Sequence, residues 1–362
     1  MNILMLNYEY PPIGGGGGVV CGDLCKEAIK DGHNVEVVTM WYRGLPVLEE
    51  YPNLKIHRVK CVRTQMRVCY PWEQLLYCIT AYRYIMRKIA MDRIDLVHCH
   101  FIVPTGLLML WLKRKYHTKC IVTAHGSDVL GHNNMRFKYL YKLIKPVWMK
   151  ILGSADGVTA PSEYLLREIK DSYPGLECIC IPNGINIDEY TTLEKKKIVI
   201  TLSRLQESKG IQDLIKALVF IEMGEWEVNI LGEGPYRSEL EKLVEEKGLC
   251  NKVHFRGHVT GERRMRYLGE AGIFFSGSRF EAFPLSVLEA SIAKCMIIAT
   301  DIEPHKILVG KEHLYKDENE LKEILSKAIY KKPQCVEYGN EKYDWTVIYE
   351  RYNELYKSIA GK

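Results

Sequence analysis

The chain has 362 residues, and at about 150 residues per domain this length fits two domains with separate cores. Hydrophobic residues make up 47% and charged residues 26%, which excludes a disordered or low-complexity chain. The net charge is 50 − 45 = +5, but residues 1–182 carry 23 basic and 16 acidic side chains (+7), whereas residues 183–362 carry 27 and 29 (−2). The positive charge of the first half favours the binding of anionic ligands or an anionic membrane surface. The excess is too small to indicate the binding of nucleic acid.

The twelve cysteines are scattered, and no two of them form a C-x-x-C pair, so we expect no zinc site. Most lie in apolar runs, where a reduced thiol behaves as a small hydrophobe, and this favours a cytoplasmic protein. Residues 1–7 have the pattern of a short buried strand rather than a signal peptide. The apolar runs fall well short of about 18 residues, so no membrane-spanning helix is predicted.

Short apolar runs alternate with amphipathic stretches along the first half, which is the pattern of parallel βαβ units. It predicts strands at residues 3–6, 35–39, 55–59, 96–98, 120–123, 157–160 and 177–181, and helices near 19–30, 72–91, 105–116, 135–152 and 163–171.

The alternation restarts after residues 183–197, a polar segment rich in turn formers that we predict to be an interdomain linker. The second half predicts strands at residues 198–202, 227–231, 253–256, 273–276 and 296–300, and helices near 211–221, 236–246, 262–268, 284–293 and 319–330. The domains would then span residues 1–182 and 198–344. Residues 345–359 place apolar side chains at helical spacing and need an apolar face, which either domain could supply.

Candidate site residues follow the predicted strands, where open parallel sheets bind ligands. Five glycines, residues 14–18, follow the first strand and run into a helix, so their backbone N–H groups could face a phosphate. The spacing fits neither a dinucleotide fingerprint nor a P-loop, and a flexible turn explains it equally well. His125, with Gly126 and Asp128 at hand, follows a later strand and is suited to bonding a sugar hydroxyl or handling a proton. His98, within an apolar run, is better explained by packing.

The second half offers two further candidate segments. Arg204 and Lys209 lie five residues apart between a strand and a helix, where both cations could reach one diphosphate, although a solvated surface pair is the alternative. Glu281 and Glu289 lie eight residues apart across an apolar elbow, with a helix predicted to begin near Pro284. A carboxylate at the position of Glu289 could accept hydrogen bonds from the adjacent hydroxyls of a ribose.

Several short motifs in chain order accompany these candidates: residues 14–18 and 32–35, 95–100, 125–128, 161–162, 182–186, Arg204 with Lys209, 232–235, 253–257, and Glu281 with Glu289. Over nearly the whole chain this set resembles the family 4 retaining glycosyltransferases of the GT-B fold. The resemblance implies an α/β protein with two Rossmann-like parallel-sheet domains that face each other across a cleft, with the C-terminal helix, residues 345–362, returning to the N-terminal domain.

The resemblance also implies a reaction and a set of roles. A hexose would pass from a UDP- or GDP-linked sugar to a glycan or lipid-linked acceptor with retention, without metal or cofactor, and the donor phosphate would accept the acceptor's proton. Arg204 and Lys209 would bind the diphosphate and Glu289 the ribose. The candidate catalytic residues are His125 and Glu281, and the donor sugar would also contact the backbone of Gly15, Gly16, Ala282, Phe283 and Leu285.

Two stretches rich in basic and aromatic residues could dock on the surface of an anionic membrane. The alternative is that they are amphipathic helices that cover a sheet, because such helices have the same pattern. One stretch contains Arg58, Lys60, Arg63, Arg67, Arg83, Arg87 and Lys88 with Trp72, Leu75, Leu76, Tyr77, Ile79, Tyr82, Tyr84 and Ile85, and the other contains Arg136, Phe137, Lys138, Tyr139, Tyr141, Lys142, Lys145, Trp148 and Lys150.

Two other functions remain compatible with the sequence. A nucleotide-sugar epimerase on the same fold would form a free sugar nucleotide without consuming an acceptor. A binding subunit would keep the nucleotide site without turnover, which the intact set of His125, Arg204, Lys209, Glu281 and Glu289 disfavours.

Overall fold

The structure is a computed structural model that describes residues 1–131, 138–191 and 193–362. The chain divides into two units, unit 1 (Met1–Gly184 with Trp345–Lys362) and unit 2 (Ile185–Asp344). The strands are β1 (Asn2–Leu6), β2 (Asn34–Met40), β3 (Leu48–Tyr51), β4 (Leu54–Val59), β5 (Leu96–His100), β6 (Lys119–Thr123), β7 (Gly157–Ala160), β8 (Ile179–Cys180), β9 (Lys196–Leu202), β10 (Glu227–Leu231), β11 (Val253–Gly257), β12 (Ala271–Ser276), β13 (Met296–Thr300) and β14 (Leu314–Tyr315).

Apart from the short α10, which the sequence analysis did not predict, the helices match the predicted amphipathic stretches closely. They are α1 (Gly16–Lys30), α2 (Pro71–Lys88), α3 (Thr105–Tyr116), α4 (Lys138–Ser154), α5 (Glu163–Ser172), α6 (Ile211–Leu218), α7 (Arg237–Glu246), α8 (Gly261–Glu270), α9 (Leu285–Ile292), α10 (Glu303–Lys306), α11 (Glu318–Tyr330) and α12 (Trp345–Ala360). The start predicted for α4, at residue 135, lies outside the described residues.

Unit 1 forms an eight-stranded sheet in the order β3-β4-β2-β1-β5-β6-β7-β8. The neighbours pair in parallel, except that β3 is antiparallel to β4. The sequence analysis missed β3, because its residues Leu-Glu-Glu-Tyr are mostly exposed at the sheet edge and lack an apolar alternation. Helix α12 belongs to unit 1, where the buried Tyr356 hydroxyl lies 2.8 Å from Nδ1 of the fully buried His98.

Unit 2 forms a parallel six-stranded sheet in the order β11-β10-β9-β12-β13-β14. From β9 the chain first builds outward through β10 and β11, and then returns to add β12 on the other side of β9. The strand order therefore reverses between β9 and β12, and a crevice for ligands opens at such a switch point beyond the carboxyl ends of the strands. The loops after β9 and β12 carry Lys209 and Glu281.

Of the predicted linker, residues 183–197, the structure assigns residues 185–191 and 193–197 to unit 2. The Ile185 N–H donates to the Tyr343 carbonyl at 2.9 Å. The Lys195 ammonium donates to the carbonyls of Gly269 and Ala293 at 2.9 and 2.6 Å, and β9 begins at Lys196. The polar residues of this segment bond within the unit, which composition alone does not reveal. Within the described part of the chain, none of the helices has the length and apolar character needed to cross a bilayer.

Candidate active site

The loops after β9 and β12 are in direct backbone contact. Gly210 has φ +64°, and a Cβ built on it would lie 2.1 Å from the carbonyl oxygen of Gly277; a Cβ on Gly277 would lie 2.5 Å from the Gly210 oxygen. The Arg279 N–H donates to the Ser208 carbonyl at 2.9 Å across the same contact. Only glycine fits such an approach, so these two glycines bring the two loops together.

The loop after β10 packs against the loop after β9 in the same way. Cβ atoms on Gly232 and Gly234 would lie 1.8 and 2.1 Å from the carbonyl oxygens of Ser203 and Leu205. The Leu205 N–H also donates to the Glu233 carbonyl at 3.0 Å. The segment that carries Arg204 and Lys209 is therefore held between two neighbouring loops.

Lys209 and Glu281 form an ion pair at this switch point, with 2.6 Å between Lys209 Nζ and Glu281 Oε1. Their side chains are only 21% and 17% exposed. Burial raises the pKa of Glu281, but the charge and hydrogen bond of Lys209 and a hydrogen bond from Ser278 oppose this, and the net pKa lies below the usual value. Glu281 is therefore a carboxylate at neutral pH, and the pair presents both a cation and hydrogen-bond acceptors.

Glu289 has other partners. It lies on α9 with 8% of its surface exposed, and its Oε1 accepts a hydrogen bond from the Tyr190 hydroxyl at 3.0 Å. Its Oε2 pairs with the Arg264 guanidinium of α8. Sequence reasoning missed both partners, because Tyr190 lay in the predicted linker and Arg264 in a helix rich in surface charges. Arg204 is exposed.

The turn before α9 contains a hydrogen bond between its own backbone groups. Pro284 takes the N-cap position and α9 begins at Leu285, whose N–H donates to the Phe283 carbonyl at 3.0 Å. The Leu285 N–H thus has a partner within the turn, and its contact with the donor stays a prediction. Phe283 is buried, with its ring 5.6 Å from that of Tyr343, and Ala282 is half-buried.

A histidine that the sequence analysis overlooked lies close to this turn. His305 is fully buried, and its Nδ1 lies 2.8 Å from the Thr300 carbonyl and its Nε2 3.3 Å from the Ser276 hydroxyl. Burial lowers its pKa, so the imidazole is neutral at neutral pH. The Thr300 hydroxyl donates to the Ser278 carbonyl at 2.6 Å, which links the surroundings of His305 to the loop that carries Glu281.

In unit 1, His125 forms a stacked pair with His100, with 3.0 Å between His125 Nε2 and His100 Nδ1. Burial and the neighbouring His100 hold the pKa of His125 well below its usual range, so the ring is neutral at neutral pH. The backbone N–H of His125 donates to Asp128 Oδ1 at 2.9 Å. A Cβ on Gly17 would lie 3.2 Å from His125 Cγ, so the glycine-rich turn packs against this ring.

The glycine-rich turn leads into the first helix, and one of its N–H groups bonds to the protein itself. Helix α1 begins at Gly16, with Gly15 as N-cap. The Gly15 N–H donates to Glu9 Oε2 at 3.0 Å. A carboxylate of the protein thus satisfies an N–H that a helix N-terminus would otherwise leave unpaired. Gly16 is exposed.

Several residues of the predicted membrane surface are buried in unit 1. Arg58 and Arg63 are 3% and 7% exposed, and Arg58 pairs with Glu49 at 2.9 Å. Tyr77, Ile85 and Trp148 are also buried. These side chains pack in the interior rather than face solvent. The part of the second stretch at residues 136–142 lies outside the described side chains.

The exposed part of α2 forms one apolar face. Trp72, Leu75, Leu76 and Ile79 are 49%, 53%, 36% and 40% exposed, and their spacing places them on a single side of the helix. Arg83 and Arg87 continue the same side and are exposed. We call this the α2 face.

Family comparisons agree with the geometry of both units. A family model described as "Glycosyltransferase Family 4" matches residues 14–189, and one described as "Glycosyl transferases group 1" matches residues 185–345. Together the two models span residues 14–345, and the chain belongs to the family 4, group 1 glycosyltransferases. The predicted family and the prediction of a transferase enzyme are thereby confirmed.

One curated relative is a glycosyltransferase, and two solved structures share the fold. An uncharacterized glycosyltransferase of Methanocaldococcus jannaschii is 24% identical over 323 residues, covering 83% of this chain and 81% of the relative. The structure of sucrose-phosphate synthase from Thermosynechococcus elongatus is 18% identical, with a TM-score of 0.84 and 99% of each chain covered. The Anabaena protein HepE in complex with UDP and glucose is 17% identical, with a TM-score of 0.78 and coverage of 99% of this chain and 100% of HepE. The predicted fold class, two Rossmann-like parallel-sheet domains, is confirmed.

Proposed function

We propose that this glycosyltransferase moves a hexose from a UDP- or GDP-linked sugar to a glycan or lipid-linked acceptor with retention of configuration. The observation that carries the proposal is the Lys209–Glu281 pair, which lies at the strand-order reversal of unit 2. The binding of UDP and glucose by HepE, a protein of the same fold, supports a nucleotide-sugar donor.

Each proposed role follows from the chemistry of the side chain. The Lys209 ammonium and the Arg204 guanidinium bind the donor diphosphate and offset the negative charge that builds up on it as the sugar leaves, so no metal is needed. Glu281 accepts hydrogen bonds from sugar hydroxyls, and Glu289 accepts them from the ribose. His125, as a neutral imidazole, bonds the reacting sugar. The donor phosphate takes the acceptor's proton.

A panel of nucleotides tests the donor. We expect UDP or GDP and one of their sugars to raise the melting temperature, because a ligand at 100 times its Kd adds about 2.7 kcal/mol to the free energy of unfolding. The Lys209→Met variant should lose this shift, whereas Lys242→Met, which changes a side chain 74% exposed on α7, should keep it. A panel in which no nucleoside diphosphate stabilises the wild type would refute the proposal. Release of a free sugar nucleotide epimer without acceptor would identify an epimerase instead.

We further propose that the α2 face docks on an anionic membrane on the cytoplasmic side, where the thiols would stay reduced. Four exposed apolar side chains that continue into two arginines match an anionic lipid surface, with rings and aliphatic chains in the acyl boundary and guanidinium groups at the phosphates. Vesicle co-sedimentation should increase with the anionic lipid content and fall for a Trp72→Ser, Leu75→Ser double variant. Binding that ignores anionic lipid, or that survives this variant, would contradict the docking.

A further inference from the structure

The Glu289 carboxylate is held at both of its oxygens by side chains from separate elements of unit 2. The Tyr190 hydroxyl, from the segment before β9, donates to Oε1 at 3.0 Å. The Arg264 guanidinium, from α8, donates to Oε2. Glu289 lies on α9, so three parts of the chain that are distant in sequence converge on one carboxylate. We call Tyr190 and Arg264 the Glu289 clamp.

The clamp keeps its charges and protons over the working pH range. Burial, followed by the charge of Glu289, raises the pKa of Tyr190, so the phenol keeps its proton and donates it. Arginine does not lose its proton in proteins. The contact is therefore a fixed arrangement of two donors on one acceptor group, and it does not switch with pH near neutrality.

Stability alone is a weak reason for such an arrangement. A buried ion pair seldom stabilises a fold more than apolar side chains of the same size would. Arg264 is moreover imperfectly satisfied, because its Nε is buried and has no hydrogen-bond partner among the described residues. A carboxylate offers up to four acceptor positions, so the two bonds from the clamp do not by themselves prevent Glu289 from accepting bonds from hydroxyls.

We propose that Tyr190 and Arg264 are positioning residues that orient Glu289 toward the donor ribose, so that discrimination between ribose and deoxyribose depends on them. The proposal rests on the proposed function, which assigns the ribose to Glu289. Neither clamp residue needs to touch the donor, because each acts by fixing the rotamer of Glu289. The two hydroxyls of a ribose then meet oxygen atoms that are already in place, and less side-chain freedom is lost on binding.

The test compares the affinities for nucleotides that contain ribose or deoxyribose, in the wild type and in a set of variants. For whichever of UDP and GDP binds, Kd is measured calorimetrically with the nucleoside diphosphate and with its 2′-deoxy and 3′-deoxy analogues. The variants are Tyr190→Phe and Arg264→Lys, and the matched control is Arg266→Lys, which changes a side chain 73% exposed on the same helix. The wild type should prefer ribose about ten- to hundredfold, as expected for hydrogen bonds to a charged group.

The expected result is a reduced preference for ribose over deoxyribose. Tyr190→Phe and Arg264→Lys should each weaken binding of the ribose form about three- to tenfold and leave at least one deoxy analogue unchanged, while Arg266→Lys keeps the wild-type ratio. Equal weakening for ribose and deoxyribose, or no weakening, would overturn the positioning role. A wild type that binds the nucleotide without discriminating would also overturn it, and the proposed function would survive. A wild type that binds no nucleoside diphosphate would overturn both.

Discussion

Gly210→Ala tests whether the backbone contact between two loops holds Lys209 beside Glu281. The new Cβ would start 2.1 Å from the Gly277 oxygen, at a residue with φ +64°. The left-handed backbone alone costs an alanine about 1–2 kcal/mol, and forcing extra volume into a packed contact adds about 1–3 kcal/mol. We therefore expect a loss of about 2–5 kcal/mol in the free energy of unfolding. Because the loops must separate, nucleotide binding should weaken too.

Gly248 provides the matched control for this variant. It has φ +68°, and a Cβ built on it would meet no atom within 4 Å. Gly248→Ala should thus show only the backbone cost of about 1–2 kcal/mol and leave nucleotide affinity unchanged. Chemical denaturation monitored by circular dichroism, with calorimetric titration of the bound nucleotide, measures both quantities. If Gly210→Ala costs no more than Gly248→Ala and binds nucleotide equally well, the loop contact does not build the site.

Two further variants probe the charges of the same site. Arg204→Ala should slow transfer by about two orders of magnitude or more, as the loss of a preorganised charge contact does, and unchanged steady-state kinetics would refute its role at the diphosphate. The charge of Lys209 holds the folded pKa of Glu281 below its usual value, so the contribution of this pair to stability is present above the usual pKa and is lost as the pH falls through the folded pKa. Glu281→Gln should therefore lower the free energy of unfolding by about 1–3 kcal/mol at pH 7, because it leaves Lys209 without its carboxylate, and should approach the wild type at pH 3. A difference between the two proteins that does not change between pH 7 and pH 3 in urea denaturation would contradict this account.

The sequence by itself determined the alternation of strands and helices and the positions of the candidate loops. Helix α3 spans residues 105–116 as predicted, because apolar periodicity and turn-forming residues act within a few positions along the chain. Placing Lys209 and Glu281 after parallel strands required only this local pattern and the rule that ligands bind beyond the carboxyl ends of strands.

Only the tertiary structure decided which of these residues meet. Lys209 and Glu281 are 72 positions apart, and their contact depends on β12 pairing with β9, which no local pattern specifies. The same holds for the Glu289 clamp and for the burial of Arg58. Each depends on contacts between segments far apart in sequence. Strand order and packing create those contacts, and the charge of a side chain does not reveal whether it will be exposed or paired.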